Sequence, residues 1–333
     1  MLNDKELIGQ IEKNYGNTTG LAVQKGGELV YEKYFDGHTE RDKVHTFSVT
    51  KSITSLLIGM AMDQGSIGSL EQKVLDFFSD YVTKRGEKTI QQVTLKHMLT
   101  MTAPYKYKSE PYTRVYGSDD WVKAGLDLLG GKKGIGEFLY STVGTQILSG
   151  VLQNATGMPM LEFANRNLFE PLGIDKPLPV TFANKEEHMA FYRKKSSSGW
   201  VVDPKGVPAA GWGLSLSPRD MLKIGQLALN LGNWNGKQLV SSEWVKESTR
   251  EHVRWDDLSY GYLWWVIDSD GREDGSENGP ANGSGSFAAM GDSGNIIYVN
   301  PAEQVVVAIT CSFKPRAGHM IGLIEQYLLP EIL

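Results

Sequence analysis

The chain has 333 residues, a length that favours one large domain or two interleaved lobes, and 41% hydrophobic with 22% charged residues describes a folded globular protein rather than a disordered, collagen-like or disulfide-stapled one. A formal net charge of -5 with scattered Lys and Arg offers no basic face to a phosphate backbone, so nucleic acid is not an expected partner.

The N-terminal stretch MLNDKELIGQIEKNYG reads as an amphipathic charged helix without the apolar core of a signal peptide, which points to a cytoplasmic protein; a leader already removed would leave export open. Two β-type runs follow around Lys25 to Gly27, a hairpin signal. FSVTKSITSLLIGMAM, residues 47–62, then reads as a helix entering a core, and its apolar run is too short to span a bilayer, so no transmembrane segment is expected. Thr94 is placed to cap a short helix in TLKHMLTM. TAPYKYKSEPYTRVYGSDDW, residues 102–121, has no periodicity and reads as an ordered loop carrying aromatic rings.

Two helices are expected across residues 134–174, broken by TGMP, with Tyr140 just before the first. Ser217, Pro218 and Asp220 read as the capped start of another helix. YGYLWWVID, SFAAMGDSGNIIYVN and QVVVAITCSF read as strands of an antiparallel sheet, before a last helix near residue 319. Cys311, the one cysteine, falls inside the last strand as a small core residue, so no intramolecular disulfide is possible. DSDG, from Asp268, fails as a calcium loop because Arg272 stands where an oxygen ligand is needed; no metal and no cofactor are expected.

Ser48 and Lys51 are the candidates for nucleophilic chemistry. A serine hydroxyl attacks a carbonyl only if something takes its proton, and a lysine at i+3 projects from the same helix face. Burial and the positive end of the helix dipole both lower a lysine pKa toward neutrality, and the helix start leaves the Ser48 N–H free to face a developing oxyanion. The spacing alone leaves two readings of Lys51 open, base or structural salt-bridge partner.

Read together, FSVTKSITSLLIGMAMDQGSI, VTLKHMLTMTAP, FLYSTVGTQILSGVLQNATGMPMLEFANRNLFEPLGI, GWGLSLSPRDMLKIGQLALNLGNWNGKQLVSSEWV, YGYLWWV and GDSGNIIYVNP resemble the serine β-lactamase-related family, which groups class C β-lactamases, penicillin-binding proteins, D-aminopeptidases and esterases. The resemblance spans residues 20–313 and implies an α/β (α+β) β-lactamase/transpeptidase-like fold, with an antiparallel sheet flanked by helices. It divides the single domain into an α/β lobe, about 1–60 and 205–333, and an inserted mainly helical lobe, about 61–204.

By the same resemblance Ser48 corresponds to the acylated nucleophile, Lys51 to its helix-borne partner, and Tyr140 to the tyrosine of the second motif that relays a proton to the leaving group. Lys51 and Tyr140 would titrate as one unit. Thr142 stands where the family usually has asparagine, and the aligned third motif reads Ala289, Met290, Gly291, with no cation to hold a substrate carboxylate. The Asp292 N–H completes an oxyanion hole with that of Ser48 in this alignment, a turn residue being the other reading of Asp292. Tyr105, Tyr107, Tyr112, Tyr116, Trp121 and Trp212 are offered as the wall of an apolar pocket, each equally suited to the core.

The expectation is thus a serine hydrolase that forms an acyl-enzyme with a small ester, amide or β-lactam-like substrate, esters or unusual amides ahead of penicillins. A penicillin-binding D-peptidase, a β-lactamase proper, or a poorly catalytic ligand-binding protein are the alternatives; oligomeric state is left open.

Overall fold

The computed structural model describes residues 4–132, 134–255, 258–267 and 285–333. Both ends of the chain build one eight-stranded antiparallel sheet. Its strands are β1 (Thr18–Lys25), β2 (Glu28–Tyr34), β3 (Val253–Trp255), β4 (Leu258–Tyr260), β5 (Trp265–Ile267), β6 (Ser286–Met290), β7 (Ile296–Asn300) and β8 (Val305–Cys311). The spatial order is β2-β1-β8-β7-β6-β5-β4-β3, so the N-terminal hairpin closes onto the last strand, with Leu21 opposite Ile309 and Val23 opposite Val307. The hairpin turns at Gly26 and Gly27, both with positive φ. Cys311 is buried on β8.

β8 is buried throughout, the pattern of a strand covered on both faces. On one face, Leu7 and Ile11 of the Lys5–Asn14 helix and Leu323, Ile324 and Leu328 near the C-terminus pack against Ile309 and Tyr298. The other face receives the Pro218–Leu229 helix, capped by Ser217 and Asp220 as expected. A Cβ on Gly225 would stand 2.4 Å from Val306 Cγ1, so only glycine lets this helix lie so close to the sheet.

On that side the Val49–Asp63 helix is buried along almost its whole length and packs against β6 and the Thr142–Thr156 helix. Its apolar residues surround the axis instead of forming one stripe, which marks a core helix. Each of Leu56, Leu57 and Ile58, fully buried, contributes roughly 1.5–3 kcal/mol of transfer free energy. The antiparallel sheet flanked by helices is the fold implied by the sequence.

Three expectations need correction. SFAAMGDSGNIIYVN is not one strand but β6 and β7, joined by a 3₁₀ turn at Asp292–Gly294 in which Ser293 has φ +68°. YGYLWWVID likewise divides between β4 and β5. The stretch 102–121 contains a five-residue helix, Tyr112–Tyr116, too short to show periodicity. The DSDG motif lies outside the described residues. No described helix is long and apolar enough to cross a membrane.

Candidate active site

The serine segment is shaped by its backbone. Val44–His45 forms a short strand with Ser215–Leu216, and Phe47 then takes φ +52°, a left-handed conformation unusual for a residue with a Cβ. Its neighbours hold it there. The Thr46 N–H and Oγ1–H both donate to Leu214 O, at 2.9 and 2.8 Å, and Thr50 Oγ1 donates to Phe47 O at 2.7 Å. The Phe47 ring packs among His45, Tyr192 and Phe313. This turn leaves Ser48 half-buried at the start of the Val49–Asp63 helix.

Lys51 is 1% exposed, and its Nζ lies 2.9 Å from Ser48 Oγ, 3.0 Å from Thr142 Oγ1 and 2.8 Å from Gly211 O. Among the described residues no carboxylate bonds to this amine. Burial therefore lowers its pKa to about 7, the more distant Glu110 charge acting in the opposite direction. A neutral amine has two hydrogens and one lone pair. Donation to Gly211 O and Thr142 Oγ1 leaves the lone pair for the Ser48 hydroxyl proton.

Tyr140 presents its ring 4.9 Å from Lys51 Nζ, stacks on Trp265 and meets Tyr260 edge to face. Burial raises its phenol above the ordinary range, while an interaction with Ser48 pulls it down. Thr142, the first residue of the Thr142–Thr156 helix, directs its hydroxyl to Lys51, so this position faces the amine.

Gly291, the residue after β6, lies directly against the serine turn. A Cβ there would lie 2.2 Å from Thr46 O and 3.3 Å from Ser48 N. The turn beyond it is held by Asn295, whose carbonyl accepts from Gly291 N–H at 2.7 Å and whose Nδ2 donates to Asp292 O at 2.9 Å. Among the described residues neither the Ser48 N–H nor the Asp292 N–H has an acceptor. Ala289 packs into the main core and Met290 against the opposite cluster, so this part of β6 carries no cation.

The aromatic residues divide. Trp212 follows Gly211 and stacks with Trp121 beside Tyr116, whose hydroxyl donates to Thr142 O at 3.3 Å. Tyr105, offered as a pocket wall, is 4% exposed in the main core with its hydroxyl on Met98 Sδ, beneath the Thr142 helix. The rings beside Tyr140 are instead Trp265 and Tyr260, continued outward by Phe138 and the half-exposed Trp255.

Sequence reasoning missed three participants. The Gly211 carbonyl carries no side-chain signal. Ser141 caps the Thr142 helix through Gly144 N–H at 2.7 Å and is legible as a serine before a helical run. Glu110 accepts from Ser141 Oγ and Val143 N–H at 2.9 and 2.8 Å, across a separation in sequence that no spacing rule reveals.

Comparison with known proteins agrees with this architecture. A profile of the family described as Beta-lactamase matches residues 8–328. The chain is 23% identical to the 6-aminohexanoate-dimer hydrolase of Paenarthrobacter ureafaciens, over 94% of this chain and 77% of that one. Among solved structures, an octameric penicillin-binding protein homologue from Pyrococcus abyssi superposes with a TM-score of 0.68 at 21% identity, covering 98% of this chain and 76% of its own. A penicillin-binding protein homologue from Caulobacter crescentus gives 0.69 at 18% identity, covering 97% and 94%. The chain therefore belongs to the beta-lactamase family of serine hydrolases.

Proposed function

We propose that this protein hydrolyses uncharged carboxylic esters or small amides through an acyl-enzyme on Ser48, with Lys51 and Tyr140 moving the proton. The observation that carries the reading is the fully buried Lys51 amine, 2.9 Å from Ser48 Oγ and bonded to no carboxylate among the described residues. An amine with a pKa of about 7 is deprotonated in a useful fraction at neutral pH.

In this mechanism Ser48 Oγ attacks the carbonyl carbon and its proton passes to Lys51 Nζ. The new oxyanion sits between the Ser48 and Asp292 N–H groups, a placement supported by the absence of an acceptor for either among the described residues. Tyr140 passes a proton from Lys51 to the departing alkoxide or amine, leaving an ester on Ser48. Water then adds to that ester as the same pair takes its proton; the bond to Ser48 Oγ breaks, the pair returns the proton to that oxygen, and the product acid departs from the regenerated serine.

Substrate preference follows from what lines the site. Ala289 and Met290 supply no cation for a substrate carboxylate, and Asp292, exposed beside the proposed oxyanion hole, repels one. Thr142 is occupied with Lys51 instead of offering an amide to the substrate. The name of the Paenarthrobacter relative, a 6-aminohexanoate-dimer hydrolase, supports a small amide as one substrate class.

The test compares p-nitrophenyl butyrate with a chromogenic cephalosporin on wild type and Ser48→Ala. The expected result is ester turnover, lost by at least about 10³-fold in the variant, with weak or no cephalosporin hydrolysis. Strong cephalosporin hydrolysis without ester turnover would establish a β-lactamase proper.

A further inference from the structure

Lys51 lies between two helix starts. It belongs to the first turn of the Val49–Asp63 helix, and its amine bonds to Thr142, the first residue of a fifteen-residue helix. Both dipoles set positive ends against the same nitrogen. The second of those ends is covered by one carboxylate. Glu110 Oε1 accepts from Val143 N–H at 2.8 Å, from Ser141 Oγ at 2.9 Å and from Tyr107 OH at 3.3 Å, while Oε2 accepts from Tyr112 OH. Tyr107 also bonds to Ser141 Oγ at 2.6 Å.

These bonds tie the tyrosine loop, through residues 107–112, to the first turn behind Thr142. Glu110 forms no ion pair among the described residues, so its charge is not cancelled locally. The other titratable groups facing it are Tyr105, Tyr107, Tyr112, Tyr116 and Tyr140, each pushed upward in part by its charge, and Lys51. Around Lys51 the remaining neighbours, Ser48, Thr142 and the Gly211 carbonyl, are uncharged. Glu110 is thus the carboxylate that covers the start of the Thr142–Thr156 helix, with Lys51 within reach of its charge.

We propose that Glu110 is a positioning residue of the Ser48 site, which seats the tyrosine loop on the Thr142 helix and supplies the negative charge that keeps the Lys51 amine from losing its proton too readily. The inference rests on the reading of Lys51 as the group that takes the Ser48 proton. A base held near neutrality can also return that proton to the leaving group; a weaker one returns it readily but accepts it poorly. Removing the Glu110 charge lowers the Lys51 pKa, so the acid limb of reactivity moves to lower pH.

The experiment measures the second-order rate of Ser48 labelling by a fluorophosphonate between pH 5 and 9 for wild type, Glu110→Gln and Glu110→Asp. Wild type is expected to lose reactivity below about pH 7. Glu110→Gln shifts that limb down by about 0.5–1 pH unit. Glu110→Asp keeps the charge but not the reach, so its limb stays while its plateau rate falls. Should the glutamine variant not fold, Glu110→Ala labelled over the same range takes its place: a limb that stays at the wild-type pH overturns the proposal.

An unmoved limb in Glu110→Gln, with a lower rate at every pH, would reduce Glu110 to a loop clamp and overturn it. Wild type that labels without any acid limb would remove the Lys51 reading itself, and the proposal with it. These outcomes separate the two claims.

Discussion

Lys51 is buried, and burial gives its titration a thermodynamic consequence. Its pKa is about 7 in the folded protein and about 10.4 in an unfolded chain, so between these values the unfolded state holds a proton that the folded state lacks. Stability contributed by this site rises with pH through that window and is flat below it. Relative to Lys51→Met, wild type should gain up to about 1.4 kcal/mol per pH unit from pH 7 toward 10, read by urea denaturation. Parallel stability curves for the two proteins would show that Lys51 titrates normally. At this scale the sequence was informative where local geometry decides, because i+3 spacing on a helix brings Lys51 to Ser48. It was silent on the Gly211 carbonyl and on Glu110, because those contacts depend on the path of the chain between distant segments.

The serine turn and the end of β6 form a pair of elements in contact through backbone. Gly291 has no room for a side chain, since a Cβ would fall 2.2 Å from Thr46 O. Gly291→Ala must push the strand end away from Ser48. We expect a loss of about 1–3 kcal/mol in stability from overpacking. Ester turnover should fall by at least about 10²-fold, the effect of losing one oxyanion donor. Wild-type turnover in this variant would show that the Asp292 N–H has no part in the reaction. The capped helices were legible because their signals are local: Thr94 with His97, and Ser217 with Asp220, close the ends they were expected to close. Division of SFAAMGDSGNIIYVN into two strands was not, because Asp292 and Ser293 make a tight turn that depends on Asn295. Tyr105 was misleading for a related reason. A tyrosine in an aperiodic loop looks like pocket lining, and only the fold shows that this one turns inward to Met98.

Across the whole molecule, the sheet made from both chain ends sets the site. β1 pairs with β8, and β6 carries Gly291 to the serine turn, while the Thr142 helix brings its first hydroxyl to Lys51. This global order was legible through resemblance, since a sequence of motifs fixes topology in a way that periodicity cannot. The central claim is that Ser48 forms and then releases an acyl intermediate. Intact-mass analysis of wild type and Ser48→Ala, quenched in acid during turnover of p-nitrophenyl butyrate, tests it directly. Wild type should carry a butyryl adduct that disappears once substrate is exhausted, and the variant none. An equal adduct on Ser48→Ala, or ester hydrolysis that survives the substitution, would contradict that claim.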